Sequence, residues 1–490
     1  MVRRTARRDG GAVTLDADIA VVGAGPAGCA LAIRLTQLGW RVLLLERSSQ
    51  PRRQSGQSLT PGVRLQLAQL GLDGMLRLCG ARPAPRSRVR WQGVEAEDRL
   101  IPQDPPLLID RGRFDGLLRG AAAGVGVRLL CPAVLIDRHP TPEGWILAIG
   151  DAAGERRVSV ATLVDATGRA GLLARARTAC GPATLALYAD WQGPAFPDLP
   201  CIDTGPEHWA WGLPREDGLF STLVFIDPDA TPRRAGLEAF LRRLLAASPL
   251  LGDFAAATPV GPVRAVDATA YRADAVSGPG WIAVGDAAMA LDPLSSSGVQ
   301  KAIRTALAAA IVLNTRLRRP EAAALADRFY ADDVRDGAEQ HQRWTDGFFA
   351  AARQSVASPS DDAPSGRGTF WHRRSGRMAA LPAAPPTPHS AVLYPDQPLT
   401  LAPTARLATT SCLVGDFVEE RVALHHPALG RPVAWLAGVE LAPLMSALPA
   451  VTNRRALIAD WSITLGPQRA ASLVGWLTGH DILQAACAER

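Results

Sequence analysis

The stretch Asp18 to Arg47, DIAVVGAGPAGCALAIRLTQLGWRVLLLER, constrains the fold more than any other part of the chain. An apolar run ends in a glycine-rich turn, a helical stretch follows up to Gly39, and a second apolar run ends in an acid. That order is what a bound dinucleotide requires. Gly23 permits the tight turn, Gly25 lets the backbone approach a pyrophosphate, and Gly28 lets the helix pack closely on the strand. Pro26 and Ala27 open the helix, whose N-terminus offers N–H donors and positive dipole to phosphate. Glu46, about 20 residues past the turn, is placed for a ribose hydroxyl pair, with Arg47 beside it. An acid at that position fits FAD or NAD and disfavours a 2′-phosphate.

A second set of residues bears on the choice between FAD and NAD. In GWIAVGDAAMALDPLSSSGVQKAI, Gly280 to Ile303, a strand ends in Gly285-Asp286, and Asp292-Pro293 leads through three serines to Gly298 and Val299. This segment resembles the flavoprotein monooxygenase and flavin-dependent halogenase superfamily. In that family the Gly-Asp aspartate binds the flavin ribityl chain, and a D-P-x-x-S-x-G segment opens a helix aimed at the isoalloxazine. A helix N-terminus at Ser297 and Gly298 suits negative charge on a reduced flavin. Three further stretches are similar to family elements. In LLIDRGRFDGLL, Arg111 matches the arginine that supports the flavin pyrophosphate, and LVDATGRAGLLAR, Leu163 to Arg175, matches a strand end that closes on the cofactor. SGQSLTP, Ser55 to Pro61, resembles a segment beside the flavin, with Gln57 where the pattern has glutamate, so a role needing a carboxylate is not carried over. The resemblance runs from about residue 16 to about residue 350.

It implies an α/β fold: a Rossmann-type FAD-binding domain with an interleaved β-sheet substrate domain of aromatic hydroxylase and halogenase type, and a small C-terminal α+β domain. We place a basic tail at residues 1–13 and the FAD-binding domain at 14–180, with 83–106 contributing to the substrate domain. Residues 181–275, with strand-like runs such as TLALYADW and GLFSTLVFID, form the substrate domain. The FAD-binding domain continues over 276–353, a Pro/Ser/Gly/Asp linker occupies 354–368, and an accessory domain occupies 369–490. Residues 12–80 and 107–180 read as parallel strands alternating with helices. In the last domain, RPVAWLAGVELAPLMSAL and RAASLVGWLTGHDIL read as helical.

Composition restricts the function classes. The seven cysteines are scattered without a C-x-x-C pair, and the eight histidines show no H-x-x-x-H spacing, so neither a disulfide framework nor a metal site is expected. The formal charge of +6 is spread along the chain and does not point to nucleic acid. No run approaches the roughly 18 apolar residues that span a bilayer, and the twin arginines near the start precede a cofactor-binding strand and not an apolar export region. A cytoplasmic enzyme is expected.

The element EHWAWGLPRE contains W-x-W-x-L-P, close to a halogenase element and pointing through Trp209 and Trp211 to halogenation. The halogenases of the family, however, deliver hypohalous acid through a lysine near the strand that follows the N-terminal flavin segment. The corresponding GARPAPRSRVRWQG, Gly80 to Gly93, has arginines and no lysine. A guanidinium stays protonated and is a poor nucleophile. Lys301, the only lysine in the chain, falls after the flavin loop, as a surface or flavin-proximal helix residue.

The resemblance therefore implies an FAD-dependent monooxygenase that hydroxylates an electron-rich aromatic ring through a flavin C4a-hydroperoxide, with molecular oxygen as co-substrate and NAD(P)H or a separate reductase as electron source. Trp209 and Trp211 would stack on the substrate, and Gln57, Ser296 and Ser297 would orient substrate and adduct. The whole layout resembles the bacterial flavoproteins that oxygenate a peptidyl tryptophan in quinone cofactor biogenesis. That likeness implies a protein substrate, the small subunit of quinohemoprotein amine dehydrogenase, docked with help from the C-terminal domain. Two alternatives stand beside it: a hydroxylase or halogenase of a small phenol or indole, and a non-catalytic flavin-binding interaction protein.

Overall fold

The computed structural model describes residues 16–50, 57–91, 95–193, 196–231, 236–252, 254, 257–356, 370–375 and 394–486. The expected N-terminal tail, and the linker beyond residue 356, lie outside the described residues. The chain forms two compact units, one from Met1–Arg318 and Tyr330–Leu381, the other from Arg319–Phe329 and Pro382–Arg490.

The first unit is built on two sheets. In one, the parallel strands Trp281–Ala283, Gly154–Asp165, Ala17–Val22, Val42–Leu45 and Arg128–Leu130 lie in that order. The two central strands Ala17–Val22 and Val42–Leu45 are rich in Val, Leu, Ile and Ala and are mostly or wholly buried, as strands covered on both faces must be. The chain enters at Ala17–Val22, turns into the helix Pro26–Gln37, and returns to the neighbouring strand Val42–Leu45. Strand order reverses between Ala17–Val22 and Gly154–Asp165, and the crevice beyond the carboxyl ends of strands at such a switch point is where α/β sheets bind ligands.

One stretch departs from the expected alternation of strand and helix. Ala133–Thr141, Gly144–Asp151 and Gly154–Asp165 form an antiparallel meander that continues into the parallel sheet. Gly144 explains the tight connection, with φ at 141° and backbone at 2.2 Å from where a Cβ would stand.

The second sheet has eight strands, with Thr258–Pro259, Leu185–Gln192, Phe220–Ile226, His208–Pro214, Cys201–Gly205, Arg86–Arg90 and Glu97–Leu100 in order and Arg264–Asp267 also pairing with Leu185–Gln192. Alternation along each strand separates two apolar faces. Leu187, Ala189, Trp191 and Ala210 pack with the helix Leu237–Ala246. Ala186, Tyr188, Trp209, Leu223 and Phe225 pack on the opposite face with Trp91, Phe349 and Trp371.

In the second unit, a hairpin of Arg406–Val414 and Phe417–His425 accompanies the helices Arg454–Leu465 and Pro467–Gly479, over a core of Leu424, Leu441, Trp461, Leu473 and Leu477. The segment from Arg431 to Leu448, expected to be helical throughout, instead opens with a small hairpin, Trp435–Leu436 paired with Val439–Glu440, and is helical only over Leu441–Ser446. Ala437 and Gly438 both take positive φ, 49° and 78°, the turn that closes a two-residue hairpin. The other expected helix stops at Gly479, and Leu483 belongs to a strand.

Trp209 is the keystone of the second face: 1% exposed, stacked on Phe225 at 3.9 Å between centroids and edge-on to Trp91 at 6.0 Å. Trp209→Ala should cost about 3–5 kcal/mol of stability, measured by chemical denaturation. A loss under about 1 kcal/mol would contradict this packing.

Candidate cofactor and substrate site

The carboxyl ends of three parallel strands meet at glycines. A Cβ on Gly23, whose φ is 106°, would stand 2.4 Å from the Ala166 carbonyl oxygen, and one on Gly28 would stand 1.9 Å from the Gly23 oxygen. A Cβ on Gly285, at φ 63°, would meet the Ala27 Cβ at 2.8 Å. No larger residue fits at these positions without moving backbone or helix. Gly25 is different: an added Cβ would find no neighbour within 4 Å. Its surroundings are a cavity of about 1160 Å³ lined by Gly23, Gly25, Pro26, Ala27, Glu46, Arg47, Arg111, Gly285, Asp286, Pro293, Gly298 and Val299. Gly28 stands behind this wall as a packing residue.

The nucleotide half of the cavity carries the charge. The N-cap of the helix Pro26–Gln37 is Gly25, which has no side chain to cap it, so the first turn of N–H groups is open to an anion. Glu46 accepts from the backbone of Ala24 and Ser48, each at 2.9 Å, which fixes its carboxylate across the turn. Arg119 donates to the carbonyls of Ala24 (3.1 Å) and Ser48 (3.2 Å) and lies 3.7 Å from Glu46. Sequence reading missed Arg119, although Arg111, Asp115 and Arg119 follow a spacing of four along one helix face. Arg111 is buried and paired with Asp115 at 3.2 Å. Asp165, fully buried, holds the cofactor-side loop: it accepts from Thr167 (backbone 3.1 Å, hydroxyl 2.6 Å) and from the backbone of Leu172 and Leu173 (2.6 and 2.8 Å).

Asp286 reaches the cavity with its side chain 40% exposed, and its Oδ1 accepts from Lys301 Nζ at 2.5 Å. Lys301 also donates to the Met289 carbonyl at 2.6 Å and is only 3% exposed at its side chain. It is a buried partner of Asp286 and not a surface residue. Burial alone would raise the Asp286 carboxyl, but the Lys301 ammonium, together with the Arg169 and Arg111 charges, holds it below the usual range. Tyr271 donates to the Asp286 carbonyl at 2.7 Å, which fixes the backbone at this residue.

In the loop that follows, Asp292 accepts from the backbone of Leu294 at 3.0 Å, and its carboxyl is pushed up to about 6 by burial, with the Leu294 N–H opposing. Ser296 takes the left-handed conformation at φ 53° and lines the cavity. Ser297 does not: its hydroxyl shares a hydrogen bond with Ser295 at 2.6 Å.

The opposite wall is the second sheet, contributing Ala186, Tyr188, Trp211, Leu213, Leu223, Phe225, Arg264, Val266 and Asp267. Trp211 stands in this wall, and its indole N–H is buried without a hydrogen-bond partner among the described residues. Trp209, expected beside it, lies outside the wall because Phe225, Trp91 and Trp371 enclose it. Gln57 lines the cavity and is 5% exposed.

Comparison with known proteins agrees with this geometry. Residues 18–93 match the FAD dependent oxidoreductase family. The solved structure of a peptidyl tryptophan dihydroxylase, QhpG, essential for tryptophylquinone cofactor biogenesis, is 30% identical, with a TM-score of 0.70 over 95% of this chain and 99% of that one. The chain belongs to the flavoprotein monooxygenase and flavin-dependent halogenase superfamily. Tryptophan 2-halogenase of Chondromyces crocatus is 28% identical over 335 residues, 64% of each chain, so this chain spans less than two thirds of that relative's length. The flavin-dependent halogenase CmlS shares the fold, with a TM-score of 0.75 over 96% of this chain and 97% of that one at 21% identity. FAD is the cofactor of the superfamily, its electrons supplied by NAD(P)H or a separate reductase. The open cradle at Gly25, the uncapped helix and the charged half-wall fit that cofactor.

The Asp286–Lys301 pair is asymmetric, and so are its expected losses. Asp286→Ala strands a buried ammonium and should cost about 3 kcal/mol or more, whereas Lys301→Met leaves a carboxylate that water can reach and should cost clearly less. Thermal unfolding of the two variants checks the order; a Lys301→Met variant less stable than Asp286→Ala would contradict it.

Proposed function

We propose that this chain is a cytoplasmic FAD-dependent monooxygenase that hydroxylates an electron-rich aromatic ring, a peptidyl tryptophan in tryptophylquinone biogenesis. In this reading the small subunit of quinohemoprotein amine dehydrogenase is the protein substrate and O2 the co-substrate. Likeness to the peptidyl tryptophan dihydroxylase over nearly its whole length supports the substrate class.

Gly23, Gly25, Pro26 and Ala27 would hold the pyrophosphate with Arg111, while Glu46 and Arg47 would meet the adenosine ribose and Asp286 the ribityl chain. Bound and reduced, FAD supplies the activation of oxygen. The protein's own contribution is placement and exclusion of water: Trp211, Leu213, Leu223 and Phe225 offer an apolar wall on which an aromatic ring can lie. Gln57 and Ser296 add polar groups along the rim of that space. The Asp292 carboxyl, near 6, can hold a proton at its second oxygen, the first being taken by the Leu294 N–H.

The observation that carries oxygenation over halogenation is the state of Lys301. The only lysine in the chain is buried, donates to Asp286 and Met289, and does not line the cavity. A lysine so committed has no free amine for a halogen. The halogenase alternative draws on Trp211, which does stand in the cavity wall.

Incubation of the small subunit with this protein, FAD, a reductant and oxygen-18 gas should add labelled oxygen to its tryptophan, read by intact mass and peptide mapping. Flavin that reduces and reoxidises while the subunit's mass stays unchanged would overturn the protein-substrate reading.

A further inference from the structure

The cavity face of the second sheet holds one polar device that the reading above does not use. Tyr188 pairs with Leu223, and Leu223 with Trp211, so the three side chains share one row across neighbouring strands. All three line the cavity. Neighbouring strands lie about 4.8 Å apart, which sets Tyr188 and Trp211 roughly 10 Å from each other across Leu223. Among the wall residues that the sheet contributes, Tyr188 carries the only hydroxyl.

That hydroxyl is already committed in one direction. Tyr188 donates to Asp190 Oδ2 at 2.8 Å, two residues along the same face. Asp190 cannot readily turn away, because its Oδ1 accepts from Ser221 at 2.5 Å and Arg215 lies 3.6 Å from its Oδ2. Arg215 is anchored in turn by Asp217 at 2.8 Å and Asp110 at 3.5 Å. Tyr188 and Asp190 are 7% and 5% exposed, so the pair is shielded from bulk water. A phenol has one proton and can also accept. With the proton given to Asp190, what remains at the oxygen is an acceptor.

We infer that Tyr188, oriented by Asp190 and Arg215, accepts a hydrogen bond from a ring N–H or O–H of the substrate, so that the cavity selects indoles and phenols over aromatic rings without a donor. This rests on the proposed function and names the residue that reads the substrate's ring. A network serving only to tie strands together would have no reason to favour one ring chemistry over another. A buried acceptor does, because a ring without a donor leaves it unpaired, at a penalty of roughly five- to a hundredfold in affinity. Tyr188 and Asp190 differ in role: the first touches the substrate, and the second is a positioning residue.

The test uses the full-length, FAD-loaded protein and titrates it with N-acetyl-tryptophanamide and with its benzothiophene isostere, in which sulfur replaces the ring N–H. Binding is read as perturbation of the flavin absorbance. The wild type should prefer the indole by roughly tenfold or more. Tyr188→Phe should abolish that preference while leaving FAD affinity unchanged. Asp190→Asn should weaken the preference as well, since an amide can donate to the tyrosine oxygen. Equal binding of the two rings by the wild type, or an undiminished preference in Tyr188→Phe, would overturn the inference and leave the monooxygenase reading standing. Failure of both rings to perturb the bound flavin would count against both readings.

Discussion

Everything in the first unit depends on how closely three parallel strand ends approach one another. Gly23 lies against Ala166, Gly28 against Gly23, and Gly285 against Ala27, at separations that exclude even a methyl group. These contacts bring the helix Pro26–Gln37, the loop after Asp165 and the loop after Asp286 to one point. Gly25 is left facing open space there. The cavity is a consequence of glycine packing around it, and the charged groups that line it are set by the same contacts.

The cavity has two chemically distinct halves. On the nucleotide side, carboxylates and cations neutralise one another in fixed geometry: Glu46 with Arg119, Asp115 with Arg111, Asp286 with Lys301. On the sheet side, the wall is largely aromatic and aliphatic, interrupted by Tyr188, Arg264 and Asp267. An anionic cofactor suits the first half and a planar ring the second. Lys301 belongs to the first in function although its ammonium never reaches the cavity. Its burial serves the aspartate.

The nucleotide half was legible in sequence because its chemistry is local. Glycine spacing, the acid after the second strand and the Gly-Asp strand end each lie within a short run, and backbone sterics at Gly23 and Gly28 leave few other conformations. The substrate half was legible only in outline. Alternation along His208–Pro214 puts Trp209 and Trp211 on one face, but depth within that face depends on Phe225, Trp91 and Trp371, which come from three other segments. The Tyr188–Asp190–Arg215 network joins one strand to a turn elsewhere in the sequence, so no single motif encodes it. Serines show the same limit: Ser296 and Ser297 read alike, yet the left-handed turn at Ser296 sends only the first to the cavity. In the second unit, the apolar run from Arg431 reads as helix until Ala437 and Gly438 impose a hairpin turn.

In the proposed function, a cavity whose family includes halogenases delivers oxygen, because the chain's only lysine is locked to Asp286. The most direct measurement is product mass from the complete reaction run with and without excess bromide. The same oxygen gain is expected in both, with no bromine in either product. A product carrying bromine, with the oxygen gain diminished, would contradict it.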